Sequence, residues 1–212
     1  MRWVKINKSK SQNLPEKSYS HWKSELADEG AHQCVYCTIH DGQFGGERNF
    51  HVEHFRPKEH FPQYTNSYRN LFYACGICNT FKGDAWPGNV NATLSNVGFV
   101  DPSKTDYNTI FSINPDYTIT ARRIAPKFMI ERIYLNRPQL QYLRWKEAIM
   151  ERYKTAAGNI SAGQIADPKL AAKVIDCLSK IVGLLGEMDH TPPYTSVEIR
   201  RSKPSRTKQT SH

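Results

Sequence analysis

Two cysteine pairs of identical spacing constrain this chain more than any other feature. Cys34 and Cys37 form one Cys-x2-Cys knuckle, and Cys75 and Cys78 form a second. Each knuckle turns the backbone so that two sulfurs face one point, and two knuckles complete the tetrahedral thiolate shell of a zinc ion. Four protein ligands leave no open coordination position, so such a zinc clamps distant segments and contributes folding energy. The chain contains 5 cysteines. Its start, Met1-Arg2-Trp3-Val4-Lys5, lacks the apolar stretch of a secretory leader. The pattern therefore reads as metal ligation rather than disulfides, in a cytoplasmic protein. The remaining cysteine, Cys177, falls on an apolar helical stripe and is expected to be buried and structural.

Over the 212 residues, Lys and Arg number 29 against 20 acids, a formal charge of +9. Such an excess attracts polyanions, of which nucleic acid is the commonest in a cytoplasm. Hydrophobic residues make up 39% and charged residues 23%, ordinary values that exclude a wholly disordered chain. No apolar run approaches the length of a membrane span.

The punctuation of the chain divides it into four parts. Residues 1–33 are a polar, irregular segment followed by a helix from Ser18 to Ala27. Residues 34–106 hold the knuckles, with a short strand from Asn49 to Glu53 and a loop-rich exit through Pro87, Gly88, Gly98 and Pro102. Residues 107–190 begin with a β-hairpin, Tyr107 to Ile113 and Tyr117 to Arg122 around Asn114-Pro115-Asp116. Three helices follow, opened by Pro126, Pro138 and Asp167-Pro168. Tyr142, Trp145, Ile149 and Tyr153 stripe the second, and Leu170, Val174, Cys177, Leu178, Ile181 and Leu185 the third; these are helix-packing faces. Residues 191–212 form a basic tail with Arg200, Arg201, Lys203, Arg206 and Lys208. The fold class is α+β.

The unusual chemistry lies between and just after the knuckles, in His51-Val52-Glu53-His54-Phe55-Arg56-Pro57-Lys58, Asn70-Leu71 and Cys78-Asn79-Thr80-Phe81-Lys82. Histidine suits a general base because it titrates near neutrality. Carboxylate and amide oxygens suit a hard divalent cation. Arg56, Lys58 and Lys82 are candidates for holding flanking phosphates.

Taken in order, the first Cys-x2-Cys, the acid-His pair with a proline three residues on, Asn-Leu, and Cys-x2-Cys-Asn-x2-Lys resemble the HNH nuclease family over residues 34–84. The resemblance implies a zinc-clamped ββα-metal module, two strands and a helix around one catalytic Mg²⁺ or Mn²⁺, with a mainly helical C-terminal extension. It implies His54 as general base, Asn70 as the residue that orients the loop and the base, Glu53 and Asn79 as metal ligands, and Lys82 as the basic residue after them. Glu53 stands where Asp is more usual, and Gly83 where some members carry a second histidine. His51 is an additional imidazole, a candidate third ligand or phosphate contact. The substrate implied is nucleic acid, DNA ahead of RNA. RNA such as tRNA, or a non-catalytic zinc-stabilised binding module, are the alternatives.

The whole chain is also similar to the HNH component of Septu-type and retron-linked antiphage systems, PtuB. The similarity rests on Arg2-Trp3-Val4-Lys5, Glu53-His54-Phe55-Arg56-Pro57-Lys58, Asp101-Pro102 and the chain length. It implies an ABC-type ATPase partner, PtuA-like, docking on the helical region. The chain has no phosphate-cradling Gly-x4-Gly-Lys loop, so that ATPase is a separate protein.

Overall fold

A computed structural model describes residues 2–8, 18–87, 94–161 and 167–190. They fall into two compact units, one within Arg2–Asn136 and one within Arg137–Lys203. The hairpin and the helix after it, grouped by the sequence with the helical region, belong to the first unit. The basic tail from residue 191 lies outside the described residues.

The first unit is organised on a two-stranded antiparallel sheet. β1 (Phe50–His54) pairs with β2 (Leu71–Cys75), with Phe50 opposite Cys75 and His54 opposite Leu71. Every residue of β2 is buried, which explains its unbroken apolar reading Leu-Phe-Tyr-Ala-Cys. Phe50 stacks on Tyr73, with centroids 4.7 Å apart. β2 leads without a loop into the helix Gly76–Lys82, which follows α1 (Lys23–Glu29) in chain order and is labelled α2. Cys75 itself caps α2, its Sγ accepting from the Cys78 amide at 3.5 Å. The second knuckle is therefore also the turn between strand and helix. α1 packs on β2, with Leu26 and Ala27 buried.

The polar reading of the N-terminal segment does not hold for residues 2–8. Trp3 and Ile6 are buried. The Trp3 indole donates to the Tyr36 carbonyl at 3.0 Å, and its backbone exchanges hydrogen bonds with Asn108 at 3.0 and 2.8 Å. Lys8 is buried against Glu29 as an ion pair.

The expected hairpin is shorter than its β-prone residues suggest. Tyr107–Ile110 forms a turn of helix, α3. Asp106 accepts from the Asn108 amide at 2.9 Å and so caps the helix, a local bond that overrides the strand propensity of the run. Only β3 (Ser112–Ile113) and β4 (Ile119–Thr120) pair, with Ile113 opposite Ile119. α4 (Ile124–Arg132) follows, with Pro126 in its first turn, where a missing N–H is harmless.

The second unit pairs α5 (Pro138–Ser161) with α6 (Pro168–His190). Both begin on proline. Asp167 caps α6 through the Lys169 amide at 2.9 Å. Tyr142, Trp145, Ile149 and Tyr153 are half-buried, as a helix-packing stripe requires. Cys177 is exposed rather than buried. The apolar arc of α6 is wider than one helix can cover, so Leu170 and Cys177 at its flank stay in solvent while Val174, Leu178 and Ile181 are half-buried. No helix among the described residues is long and apolar enough to cross a membrane.

Candidate active site and metal centre

The four knuckle cysteines converge. Their sulfurs all lie within 4.8 Å of one another, and all four residues are buried. The Sγ atoms of Cys37 and Cys75 are 3.8 Å apart. That separation is far longer than a disulfide and matches the roughly 3.8 Å edge of a tetrahedron built on zinc–sulfur bonds of about 2.3 Å. Burial pushes the Cys34 thiol well above its ordinary range. A bound cation reverses that preference, since a coordinating thiol is deprotonated outright. The donor set fits a structural zinc. The first knuckle is closed by Thr38 N to Cys34 O and Cys34 N to Ile39 O, each 2.9 Å. It is tied to the sheet by Val35 N to Tyr73 O, also 2.9 Å.

On the outer face of β1 and α2 lies a groove of about 450 Å³, lined in part by Glu53, His54, Lys58, Asn79 and Asp84. β1 contributes Glu53 and His54, and α2 contributes Asn79. The zinc knuckle joins β2 to α2, so it fixes Asn79 relative to the strand pair.

His54 is held from two sides. Its Nε2 lies 3.0 Å from the Thr65 carbonyl. A carbonyl only accepts, so Nε2 carries the proton and Nδ1 keeps the lone pair. Tyr19 meets the ring edge-on, with centroids 4.8 Å apart. Burial holds the His54 pKa below the ordinary histidine value, assisted by the charges of Lys58 and Lys82 and opposed by the Thr65 contact.

Asn70 controls the loop that presents Thr65. Its Oδ1 accepts from Arg56 N at 2.8 Å, and its Nδ2 donates to Arg56 O at 3.0 Å and Tyr64 O at 3.3 Å. One side chain thus closes the segment between the strands. Asn70→Ala leaves these backbone groups without their partner. It is expected to lower the unfolding free energy by about 1–3 kcal/mol in a denaturant titration. A variant as stable as the parent would show that water replaces the amide without cost.

Glu53 is buried, and its Oε1 accepts from Lys82 Nζ at 2.6 Å and from Tyr36 OH at 3.1 Å. Burial pushes its carboxyl up, against the opposing pull of Lys82 and the Tyr36 hydroxyl. Among the described residues both partners fall on Oε1, so Oε2 is the oxygen left for a cation. With the Asn79 amide in the same groove, the donors present are of the type a hard divalent ion takes.

Lys82 is wholly buried. Its ammonium also donates to the His54 carbonyl at 2.7 Å and lies 5.4 Å from the centre of the Phe99 ring. It is a strut between α2 and β1 and does not face a phosphate. Lys82→Met strands a buried carboxylate and is expected to cost about 3–5 kcal/mol of stability. A loss below about 1 kcal/mol, the scale of a surface pair, would mean that Glu53 is in practice solvated.

The other expected contacts separate. His51 is exposed beside Gly76 at the start of α2 and is not among the residues of the groove. Arg56 lies over the rings of Tyr64 and Phe61, at 5.0 and 5.8 Å, and lines a different cavity. Thr65, Tyr19, Tyr36 and Asp84 are site residues the sequence reading missed. Thr65 contributes a backbone carbonyl, which no residue type announces. Tyr36 was legible in principle, because it sits inside the first knuckle and must travel with the zinc.

Residues 34–85 match the family model described as HNH endonuclease. The similarity is to a family of nucleases and covers this segment of the chain. Comparison with curated proteins and with solved structures gives no match.

Proposed function

We propose that this chain is a metal-dependent endonuclease that hydrolyses phosphodiester bonds in nucleic acid, with DNA as the target. The observation that carries the reading is the meeting of His54, Glu53 and Asn79 in one groove of the HNH domain. His54 is there in the tautomer a base requires.

His54 Nδ1 accepts a proton from the attacking water. The Thr65 carbonyl holds the Nε2 proton and favours the imidazolium that forms. Asn70 holds the loop that carries this carbonyl. Glu53 and Asn79 would hold Mg²⁺ or Mn²⁺, which supplies stabilisation of charge on the phosphate and the leaving oxygen. Lys82 and Tyr36 position Glu53 from the protein side.

We assign the chain further to antiphage defence in the cytoplasm, as the nuclease effector of a complex with a PtuA-like ABC-type ATPase. The similarity to PtuB supports this assignment. So does the apolar surface of α6, where Leu170, Ile175 and Val182 are exposed.

The test is incubation of the purified protein, alone and with a co-expressed ATPase, with Mg²⁺ or Mn²⁺ and either plasmid or cellular RNA. Plasmid cleavage is expected. Cleavage of RNA with plasmid intact would move the target to RNA, and no cleavage in either complex would leave a zinc-stabilised binding module.

A further inference from the structure

One contact of His54 comes from outside the segment that matches the family model. Tyr19 lines the groove with Glu53, His54 and Asn79, yet it precedes residues 34–85. It opens a short helical turn, Tyr19–Trp22, that is fastened at both ends. Trp22 is buried and meets Tyr68 edge to face, with centroids 5.0 Å apart. At the other end the Tyr19 amide donates to Asn66 Oδ1 at 3.1 Å. Asn66 directly follows Thr65, whose carbonyl holds His54. The two groups that touch the imidazole, the Tyr19 ring and the Thr65 carbonyl, are thus also tied to each other. The Lys58 ammonium lies 5.7 Å from the centre of the Tyr19 ring, within reach of a cation–π contact.

We infer that Tyr19 is a positioning residue for His54, supplied to the site by the N-terminal segment. One hydrogen bond fixes one atom of an imidazole and leaves the ring free to swing about that bond. A second contact away from the bond axis fixes its plane. The Tyr19 ring supplies that contact, at 4.8 Å and an interplanar angle of 70°, a favoured arrangement for aromatic rings. With both contacts made, Nδ1 keeps one direction and one protonation form. The role belongs to the ring of Tyr19 rather than to its hydroxyl. Its effect on rate rests on the proposed role of His54, whereas its effect on the imidazole does not.

The test uses the full chain with its zinc and isotope-labelled histidine. The ring nitrogens of His54, assigned by their loss in His54→Ala, are followed at alkaline pH without added metal or substrate. Single-turnover cleavage is measured on the same preparations. In the parent the two nitrogens give well-separated resonances, one protonated and one not. Tyr19→Ala is expected to bring them closer together, as the ring exchanges between tautomers, and to slow cleavage by about 10–10²-fold, with nucleic-acid affinity unchanged. Tyr19→Phe, which keeps the ring, restores both. Asn66→Ala unties the turn without altering either ring. It is expected to move the His54 resonances in the same direction by less, and it decides the matter should Tyr19→Ala fold poorly. Parental resonances in Tyr19→Ala and Asn66→Ala overturn the inference. So does a moved ring with an unchanged rate, or a Tyr19→Phe protein that falls as far as Tyr19→Ala. A parent that does not cleave defeats the proposed function and leaves the resonances to decide this inference.

Discussion

His54→Ala is expected to slow metal-dependent cleavage by about 10²–10⁴-fold, the usual contribution of a positioned general base. The loss belongs in the chemical step. His54 lines the groove beside Glu53 and Asn79, and its Nε2 is committed to the Thr65 carbonyl, so its remaining reactive atom is Nδ1. Removing the ring leaves the donors of the metal in place, and nucleic-acid affinity is expected to change little. The side chain is half-buried and makes one hydrogen bond, so about 1 kcal/mol of stability is at stake. Single-turnover rates at saturating enzyme separate chemistry from binding. Added imidazole should restore part of the rate. A variant that cuts at the parental rate would remove His54 from the mechanism.

The second large effect concerns the zinc. Cys75→Ser, or exhaustive chelation, is expected to unfold the zinc-clamped module rather than merely silence it. Cys75 ends β2, caps α2 through the Cys78 amide and supplies a sulfur to the cluster. Structural zinc in small modules binds with an apparent free energy of about 10–16 kcal/mol, all of it coupled to folding. A whole domain commonly has only about 5–15 kcal/mol of stability to lose. The paired strands of β1 and β2 form a sheet too small to be stable alone. Thermal unfolding followed by near-ultraviolet circular dichroism is the measurement. Protein stripped of zinc that melts at the parental temperature would contradict the clamp.

How much of this was legible in the sequence depends on what kind of group carries each role. The knuckles were readable because thiolate ligands are set by residue type and spacing. β1 was readable as a short strand, Asn49 to Glu53 against the observed Phe50–His54, whereas the second strand and the helix came only with the HNH resemblance. Lys82 was misread as a phosphate contact. A lysine after a motif looks the same whether it faces solvent or a buried glutamate, and only packing decides. His51 and Arg56 do not line the groove with Glu53: nearness in sequence does not say which cavity a side chain lines, and Arg56 lines a different one. The burial of Trp3 depends on Tyr36 and Asn108, which are 33 and 105 residues away, and no local pattern encodes such contacts. At Tyr107–Ile110 the residues favour strand, yet one capping aspartate produces a helical turn. Cys177 shows the converse limit, because an apolar stripe names a face that can be buried but not what covers it.

In the proposed division of labour, zinc builds the site and a second, hard ion serves the reaction. Metal content and cleavage measured together on one sample test it most directly. The protein is dialysed to remove weakly held divalent ions, then assayed before and after Mg²⁺ or Mn²⁺ is restored. One zinc retained per chain throughout, no cleavage without the added ion, and recovery when it returns are expected. Full cleavage by the dialysed, zinc-only protein, or loss of zinc in step with loss of activity, would contradict it.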